Sequence, residues 1–188
     1  FVQALTQAGW MAALIPEECG GSGLGLTEAS VIMEEINRSG GNSGACHGQM
    51  YVMNAVVRSG SEAQKRQYLP KIASGELRLQ SMGVTEPTTG TDTTKIKTTA
   101  VRRGDKYVIN GQKVWTTNAV HGDKIFTMVR TEPGSQKHRG ISMLIVPTTS
   151  DGFDYTPVHT MSGIDTSATY YSDLRVPVTS RVGEEGGG

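Results

Sequence analysis

The sequence predicts an α+β protein in which an N-terminal all-α domain, residues 1–76, packs on a mostly antiparallel β-barrel, residues 77–188. Two observations support this fold class. Apolar residues recur at helical spacing as far as Ser74, whereas the segments after Gly75 are short, rich in Val, Ile, Tyr and Thr, and separated by turn residues. The even spacing of these later segments is typical of an antiparallel barrel.

Two helices are predicted before residue 60. Thr27 is the expected N-cap of a helix that runs towards Arg38, because a threonine hydroxyl can accept from the free N–H groups of the first turn. Glycines after Ser39 end that helix. A second helix is expected over residues 44–58 and ends at another Ser-Gly pair.

A third helix is predicted to start after Ser61. Gln64 stands at the position where a side chain can reach back to the cap and complete a capping box. The apolar side chains expected to face the core of the domain are Tyr68, Leu69 and Ile72.

Strands are predicted throughout the second domain. Gly104-Asp105 separates the first two, and Asn110-Gly111 interrupts the second with a dipeptide that strongly favours a hairpin turn. The segments are 97–103, 106–116, 124–131, 140–147, 153–158 and 168–176.

The composition excludes several classes of function. A formal net charge of +0 argues against a nucleic-acid or anionic-membrane partner attracted by bulk charge. No apolar run approaches the roughly 20 residues of a membrane span. The start at Phe1 has neither an initiator Met nor a secretion signal, so we expect a soluble fragment that begins within a helix. The 2 cysteines fit a reducing compartment.

A metal site and a dinucleotide-binding loop are both disfavoured. The four histidines lie far apart, and neither Cys19 nor Cys46 has a partner at metal-ligand spacing. The glycine-rich segment 20–25 fits no G-x-G-x-x-G register and follows no strand, so we interpret it as a structural loop.

Two segments of the second domain predict a flavin site. Residues 82–92, MGVTEPTTGTD, form a loop with hydroxyl and backbone N–H groups that can bind a polar ring and a pyrophosphate. Residues 110–117, NGQKVWTT, place an aromatic face beside two hydroxyls. Trp115 can stack on a planar ring while Thr116 or Thr117 donates to the ring edge. The simpler interpretation of a lone Trp is a core residue of the barrel.

These segments closely resemble the flavin-contacting segments of the acyl-CoA dehydrogenase family, which usually read V-T-E-P-x-x-G-S-D and N-G-x-K-x-W-I-T-N. The resemblance extends to residues 5–25, to Leu174-Arg175-Val176-Pro177 and to residues 181–186. It implies that the chain corresponds to most of the N-terminal helical domain plus the middle β domain, and that the C-terminal helical bundle is absent.

The resemblance also implies the cofactor and its contacts. FAD is the expected cofactor, Thr91 also faces the substrate, and Thr117 rather than Thr116 is the expected partner of the flavin N5 edge. Thr88 and Thr89 depart from the frequent Gly-Ala of the family, and Met82 stands where an aromatic residue is frequent. The residues expected to bind the cofactor are Met82, Val84, Thr85, Thr91, Trp115, Thr116 and Thr117.

No catalytic residue is predicted in this chain. The family reaction converts an acyl-CoA thioester of fatty acid β-oxidation to the trans-2-enoyl-CoA, and its base is a Glu from helices beyond the β domain. Glu86 corresponds to a different position and receives no chemical role. The 188-residue chain alone is therefore expected to be inactive.

The resemblance further implies an electron-transfer flavoprotein as electron acceptor and a homo-oligomer, either a dimer or a tetramer. The compartment would be the cytoplasm of a bacterium or the mitochondrial matrix of a eukaryote. Two alternatives stay open: an acyl-CoA oxidase or flavin monooxygenase of the same fold, and a non-catalytic scaffold that has lost FAD.

Overall fold

The computed structural model describes residues 1–135, 137–161, 163 and 166–187. The chain divides into two compact units, Phe1–Gln80 and Ser81–Gly188. The first unit is helical, and the second is built on one sheet. The predicted change from a helical region to a sheet-rich region is therefore confirmed. Among the described residues of the second unit, the helical segments are short 3-10 turns only.

The helical unit has a small apolar core. Two 3-10 turns, Trp10–Ala12 and Glu17–Cys19, connect the first helix to the second. Its described residues form the α-helices α1 (Val2–Gln7), α2 (Leu26–Arg38), α3 (Gly44–Ser59) and α4 (Glu62–Ser74). The buried residues that form one cluster between them are Met11, Ala13, Ala29, Ile36, Cys46 and Met50.

Helix α2 begins at Leu26, so the prediction of Thr27 as its N-cap is wrong. Gly25 occupies the cap position, and its backbone N–H donates to Glu28 Oε2 at 3.0 Å. A carboxylate in the first turn satisfies this N–H and is favoured by the positive end of the helix dipole. Glu28 therefore satisfies the N–H of the cap residue, whereas a hydroxyl at the cap would accept from an N–H of the first turn.

The start of α4 agrees with the sequence prediction. Ser61 Oγ accepts from the backbone N–H of Gln64 at 3.2 Å, and Gln64 Oε1 accepts from the backbone N–H of Ser61 at 3.0 Å. This reciprocal capping box fixes the helix start. The predicted core residues Tyr68, Leu69 and Ile72 are all buried.

The second unit contains a mostly antiparallel sheet. Among the described residues, five strand pairings are antiparallel and two, β1 with β4 and β2 with β4, are parallel. The strand order is β6-β7-β3-β2-β4-β5-β8, with β1 on β4. The strands are β1 (Ser81–Gly83), β2 (Thr99–Arg103), β3 (Lys106–Lys113), β4 (Lys124–Arg130), β5 (Ile141–Pro147), β6 (Phe153–Val158), β7 (Thr166–Pro177) and β8 (Arg181–Val182).

The apolar core of this unit lies on one face of its central strands. Tyr107 and Ile109 of β3 pack there with Val129 of β4, and Phe153 is packed against the same cluster while remaining partly exposed. The other buried residues of the cluster are Ala100, Leu144, Val146, Tyr171, Leu174 and Val176.

The predicted hairpin turn at Asn110-Gly111 is wrong, because β3 continues through this dipeptide. The turn between β2 and β3 lies at Gly104-Asp105 instead, since Arg103 pairs with Lys106. The register between β3 and β7 shifts between Ile109 and Gly111, so the dipeptide marks a strand irregularity.

The glycine at this irregularity is required by close packing. Gly111 has a φ of +150°, and a Cβ added to it would lie 2.5 Å from Thr98 Oγ1 and 2.7 Å from Thr98 Cα. Only a glycine allows the two backbones to approach so closely. Asn110 turns outward, and its side chain exchanges two hydrogen bonds with Asp173 of β7.

Candidate cofactor-binding site

The two segments predicted to bind a flavin lie side by side. Ser81 Oγ donates to the carbonyl oxygen of Thr117 at 2.8 Å. The backbone N–H of Val114 donates to the carbonyl oxygen of Thr85, also at 2.8 Å. Residue numbers increase from 81 to 85 along the first segment while the numbers of their partners decrease from 117 to 114, so the two segments run antiparallel. Residues 82–85 and 114–117, which are separated in the sequence by a complete strand hairpin, therefore belong to one small region.

Trp115 is held at the surface in an unusual backbone conformation. Its side chain is 60% exposed and its φ is +59°. A positive φ is rare for a bulky residue and costs on the order of 1–3 kcal/mol. Hydrogen bonds on both sides, from Val114 N to Thr85 O and from Thr116 N to Ser167 O, fix this turn. The exposure excludes the interpretation of Trp115 as a core residue of the sheet.

The two threonines after Trp115 have different surroundings. Thr116 is fully buried, and its hydroxyl lies 3.3 Å from Thr169 Oγ1. That hydroxyl in turn contacts the phenol of Tyr171, whose pKa is raised by burial. Thr117 is half-buried. A ligand at the surface therefore meets the hydroxyl of Thr117 more readily than that of Thr116.

The loop after β1 closes on itself. Glu86 and Thr89 exchange backbone hydrogen bonds of 2.8 and 3.1 Å, which fold the Pro87-Thr88 tip into a tight turn. Thr89 Oγ1 donates to the carbonyl of Lys95 at 3.2 Å. Thr91 is exposed beyond this turn, and no hydrogen bond among the described residues joins it to Trp115.

The other predicted site residues lie on β1 and just after it. Met82 is half-buried and pairs with Phe126 of β4. Val84 is also half-buried, and its carbonyl oxygen accepts from Lys113 Nζ at 3.1 Å. Thr85 is half-buried and contributes its carbonyl to the bond with Val114.

Sequence reasoning missed an ion pair beneath this region. Lys113 Nζ donates to Glu86 Oε1 at 2.8 Å, and the two side chains are 0% and 4% exposed. The carboxylate also accepts from the backbone N–H groups of Lys97, at 2.6 Å, and Thr98, at 2.8 Å. Lys113 lies two residues before Trp115 in the second segment. Its ammonium donates to Val84 and Glu86, which both belong to the first segment.

Burial and hydrogen bonding oppose each other in this pair. Burial alone would raise the pKa of Glu86, but the hydrogen bonds from Lys113, Thr98 and Lys97 hold that pKa below its ordinary value. Burial lowers the pKa of Lys113, and the nearby carboxylate of Glu86 acts against this. The carboxylate keeps its charge because three N–H donors surround it.

The described residues contain no group of His, Cys, Asp and Glu that could hold a metal ion. None of the described helices is long and apolar enough to cross a membrane. An open apolar groove of about 610 Å³ lies in the helical unit, beside Trp10, Leu24 and Val31. None of the predicted cofactor-binding residues lines it.

Comparison with known protein families shows to which family the chain belongs. Residues 1–76 match the model of the acyl-CoA dehydrogenase N-terminal domain, and residues 81–175 match that of the acyl-CoA dehydrogenase middle domain. The chain belongs to the acyl-CoA dehydrogenase family.

Individual acyl-CoA dehydrogenases agree with this assignment. Acyl-CoA dehydrogenase FadE26 of Mycobacterium tuberculosis is 48% identical over 190 residues, which cover 96% of this chain and 45% of that protein. A "Tcur3481-Tcur3483 steroid ACAD" structure matches with a TM-score of 0.92 and 41% identity, over 100% of this chain and 48% of that one. The ChsE4-ChsE5 complex from M. tuberculosis matches with a TM-score of 0.90 and 47% identity, over 98% and 48%. The chain spans about half the length of these relatives.

The acyl-CoA dehydrogenase sequence pattern contains both residues of the missed ion pair. Glu86 is the E of V-T-E-P, and Lys113 is the K of N-G-x-K-x-W. Both residues were therefore visible within the two segments that predicted the flavin site. What the pattern does not state is that the two side chains meet each other instead of a ligand.

Proposed function

We propose that the protein containing this chain binds FAD at the surface around Trp115 and dehydrogenates an acyl-CoA thioester between its α and β carbons. Residues 1–76 and 77–188 serve as its helical and sheet domains. One observation carries the proposal: a tryptophan is fixed at φ +59° with its indole 60% exposed, next to the loop after β1. An exposed aromatic face held by a strained backbone is an arrangement that cofactor binding explains and core packing does not.

The residues around Trp115 fit a flavin. A planar, polar heteroaromatic ring needs an apolar face to stack on and hydroxyl or N–H donors at its edge. Trp115 supplies the face, and the half-buried Thr117 supplies a hydroxyl. Two further hydroxyls, Thr166 Oγ1 and Ser167 Oγ, are buried without a hydrogen-bond partner among the described residues, and the Ser167 carbonyl accepts from the backbone N–H of Thr116. The start of β7 beside this turn is therefore polar.

Each side chain has a defined role in the proposal. Trp115 orients the ring by stacking, and Thr117 donates to its N5 edge. Thr116 acts through its backbone, because its own hydroxyl is bonded to Thr169. When bound, FAD accepts the hydride that leaves the β carbon. The remaining groups, which line the first segment, are Met82, Val84, Thr85 and Thr91, of which Thr91 also faces the substrate.

No residue of this chain is proposed as the catalytic base. The resemblance to the family assigns that role to a glutamate outside the two matched domains. The contribution of this chain is to bind and orient the cofactor and to cover part of it from water. The proposed activity therefore belongs to the whole protein.

The relatives support a substrate class. The "Tcur3481-Tcur3483 steroid ACAD" shares 41% identity with the chain, and we propose a steroid-derived acyl-CoA as substrate on this basis. The test compares turnover of a steroid side-chain acyl-CoA with that of straight-chain acyl-CoA thioesters. A kcat/KM at least about tenfold higher for the steroid thioester, equivalent to roughly 1.4 kcal/mol, supports the proposal. A preference for the straight chain contradicts it.

The proposed partners follow from the family. We propose an electron-transfer flavoprotein as electron acceptor and a homo-oligomer, a dimer or a tetramer, as the assembly. The ChsE4-ChsE5 complex supports an assembly of more than one chain. Light scattering of the purified protein, alone and with a second acyl-CoA dehydrogenase chain, separates a homo-oligomer from a mixed complex.

The proposed activity has a direct spectroscopic test. The full-length protein is purified, and its visible absorption spectrum is recorded under anaerobic conditions before and after addition of acyl-CoA. We expect flavin bands that bleach on addition of the substrate. Re-oxidation by electron-transfer flavoprotein but slowly by oxygen distinguishes a dehydrogenase from an oxidase. A colourless protein that binds no added FAD would support the non-catalytic scaffold instead.

A further inference from the structure

The buried ion pair of Lys113 and Glu86 connects the two proposed cofactor-binding segments. Lys113 ends β3 and leads directly into the turn at Trp115. Its ammonium bonds to the Val84 carbonyl at 3.1 Å and to Glu86 Oε1 at 2.8 Å, both on the other segment. A Cβ on Gly83 would lie 3.3 Å from Lys113 Cγ, so the lysine stem runs directly against the backbone of β1.

Stability alone does not explain this pair. Removing two charges from water costs several kcal/mol per ion, and well-packed apolar residues of similar volume are often as stabilising as a buried ion pair. What an ion pair with directional hydrogen bonds adds is a defined distance and orientation. Here those hydrogen bonds hold the backbone carbonyl of Val84 and the carboxylate of Glu86 at defined positions relative to the strand end that carries Trp115.

The carboxylate extends the same connection to a third piece of backbone. Glu86 accepts from the N–H groups of Lys97 and Thr98, at the start of the path into β2. Thr98 Oγ1 donates to the carbonyl of Gln112, the residue before Lys113, at 3.3 Å. The carboxylate therefore ties together the chain on both sides of the loop that contains Thr91.

We propose that Lys113 and Glu86 are positioning residues for FAD: the ion pair sets the separation of residues 82–91 from residues 115–117, and the affinity for FAD depends on it. This inference rests on the proposed function. The pair itself does not touch the cofactor, because both side chains are buried beneath the surface formed by the two segments.

The test uses the full-length protein, four single variants and the double variant that combines Lys113→Met with Glu86→Gln. Lys113→Met keeps the length of the side chain without its charge, and Glu86→Gln keeps the shape of the carboxylate. Val129→Ala is the matched control for lost stability, because Val129 is fully buried in the same sheet core but makes no part of the ion pair. Lys65→Met removes a cation from a partly exposed ion pair of the helical unit.

The measurement is the dissociation constant of FAD from the refilled apoprotein, taken well below the unfolding temperature of each apo variant. We expect Lys113→Met and Glu86→Gln each to raise this constant about tenfold or more, as for the loss of a charged hydrogen bond. The dissociation constant of the double variant should be close to that of the single variant that binds FAD more weakly, because the two residues act as one unit. Val129→Ala should lower the apo unfolding temperature and leave the constant within about twofold, since it removes apolar packing but none of the hydrogen bonds of the ion pair.

The outcomes separate this inference from the proposed function. If the wild-type protein binds no FAD, both are overturned. If the wild type binds FAD and both single variants bind it with the wild-type constant, the ion pair is structural only and this inference alone is overturned. Should Lys113→Met fail to fold, Glu86→Gln and the double variant decide the question by the same measurement.

Discussion

The backbone N–H of Val114 donates to the carbonyl oxygen of Thr85 at 2.8 Å, and this bond joins the two segments directly before Trp115. It lies beside the ion pair of Lys113 and Glu86, which joins the same segments through side chains. The exposed indole of Trp115 thus follows directly after a part of the chain where several hydrogen bonds join the two segments. Hydrogen bonds on both sides of Trp115 fix the backbone that carries the ring.

Replacement of Trp115 should separate cofactor binding from folding. Because the side chain is 60% exposed, Trp115→Ala should change the apo free energy of unfolding by less than about 1 kcal/mol. Trp115→Gly should make the apoprotein more stable than Trp115→Ala by about 0.4–1 kcal/mol, since glycine adopts a positive φ without strain. Both variants should lose FAD on dialysis, measured by flavin absorbance.

Trp10 provides the control for this pair of variants. It is 45% exposed and lies in the helical unit. Trp10→Ala should keep the flavin content of the wild type. A large loss of apo stability in Trp115→Ala together with normal flavin content would show that Trp115 serves folding instead.

The two threonines after Trp115 should respond differently to loss of the hydroxyl. Thr116→Val removes the buried contact with Thr169 and should lower the free energy of unfolding by about 1 kcal/mol. Thr117→Val should leave the apo unfolding temperature almost unchanged and slow the reduction of the flavin by acyl-CoA. Stopped-flow absorbance and thermal unfolding measure the two effects, and the opposite pattern would exchange the proposed roles.

Glu86 should make stability depend on pH in the acid range. Its pKa in the folded protein lies below the ordinary value of 4.5, so its contribution is fully present above that value and is lost as pH falls through the folded-state pKa. The difference in unfolding free energy between wild type and Glu86→Gln should therefore be constant near neutral pH and shrink in acid. Glu62→Gln, at a carboxylate that is 73% exposed, should show a much smaller difference.

The same variant makes a prediction above neutral pH. In Glu86→Gln, Lys113 keeps the burial that lowers its pKa and loses the carboxylate that raises it. Folding then disfavours the charged lysine more strongly, and the variant should gain stability relative to wild type as pH rises. Denaturant unfolding at several pH values measures this, and a pH-independent difference would show that Lys113 keeps its charge without Glu86.

Gly111 should tolerate no side chain. A Cβ there would lie 2.7 Å from the backbone Cα of Thr98, so Gly111→Ala should destabilise the sheet unit by about 1–3 kcal/mol. Gly104→Ala is the control for a positive φ in open space, because Gly104 has a φ of +62°, which an alanine adopts with less strain than the +150° of Gly111, and has nothing within 4 Å of an added Cβ. Equal losses for the two variants in denaturant unfolding would mean that backbone strain, not the contact with Thr98, determines the effect.

The elements of the fold were predictable where local signals and burial agree. Ser61 and Gln64 lie three residues apart, and their mutual hydrogen bonds need no distant partner. At Thr27 two local signals competed, and the carboxylate of Glu28 moved the helix start to Leu26. Asn110-Gly111 favours a turn in isolation, but the pairing of β3 with β7 on both sides of it keeps the strand continuous.

The sequence pattern names the residues of the proposed site but not the contacts that hold them in place. Trp115 and Thr117 stand out in the sequence pattern, whereas the positive φ of Trp115 depends on hydrogen bonds to Thr85 and Ser167 that are distant in sequence. The meeting of Glu86 and Lys113 likewise depends on the sheet, which brings residues 27 positions apart into contact. Local sequence carries no information on such contacts.

An experimental structure of the full-length protein with FAD would show whether a flavin ring lies on Trp115. The decisive measurement is the distance between the flavin ring and the indole of Trp115. We expect ring centroids roughly 4.5–7 Å apart, as for stacked aromatic rings, with Thr117 Oγ1 within hydrogen-bond distance of the ring edge. A flavin bound elsewhere, with Trp115 still free in solvent, would contradict it.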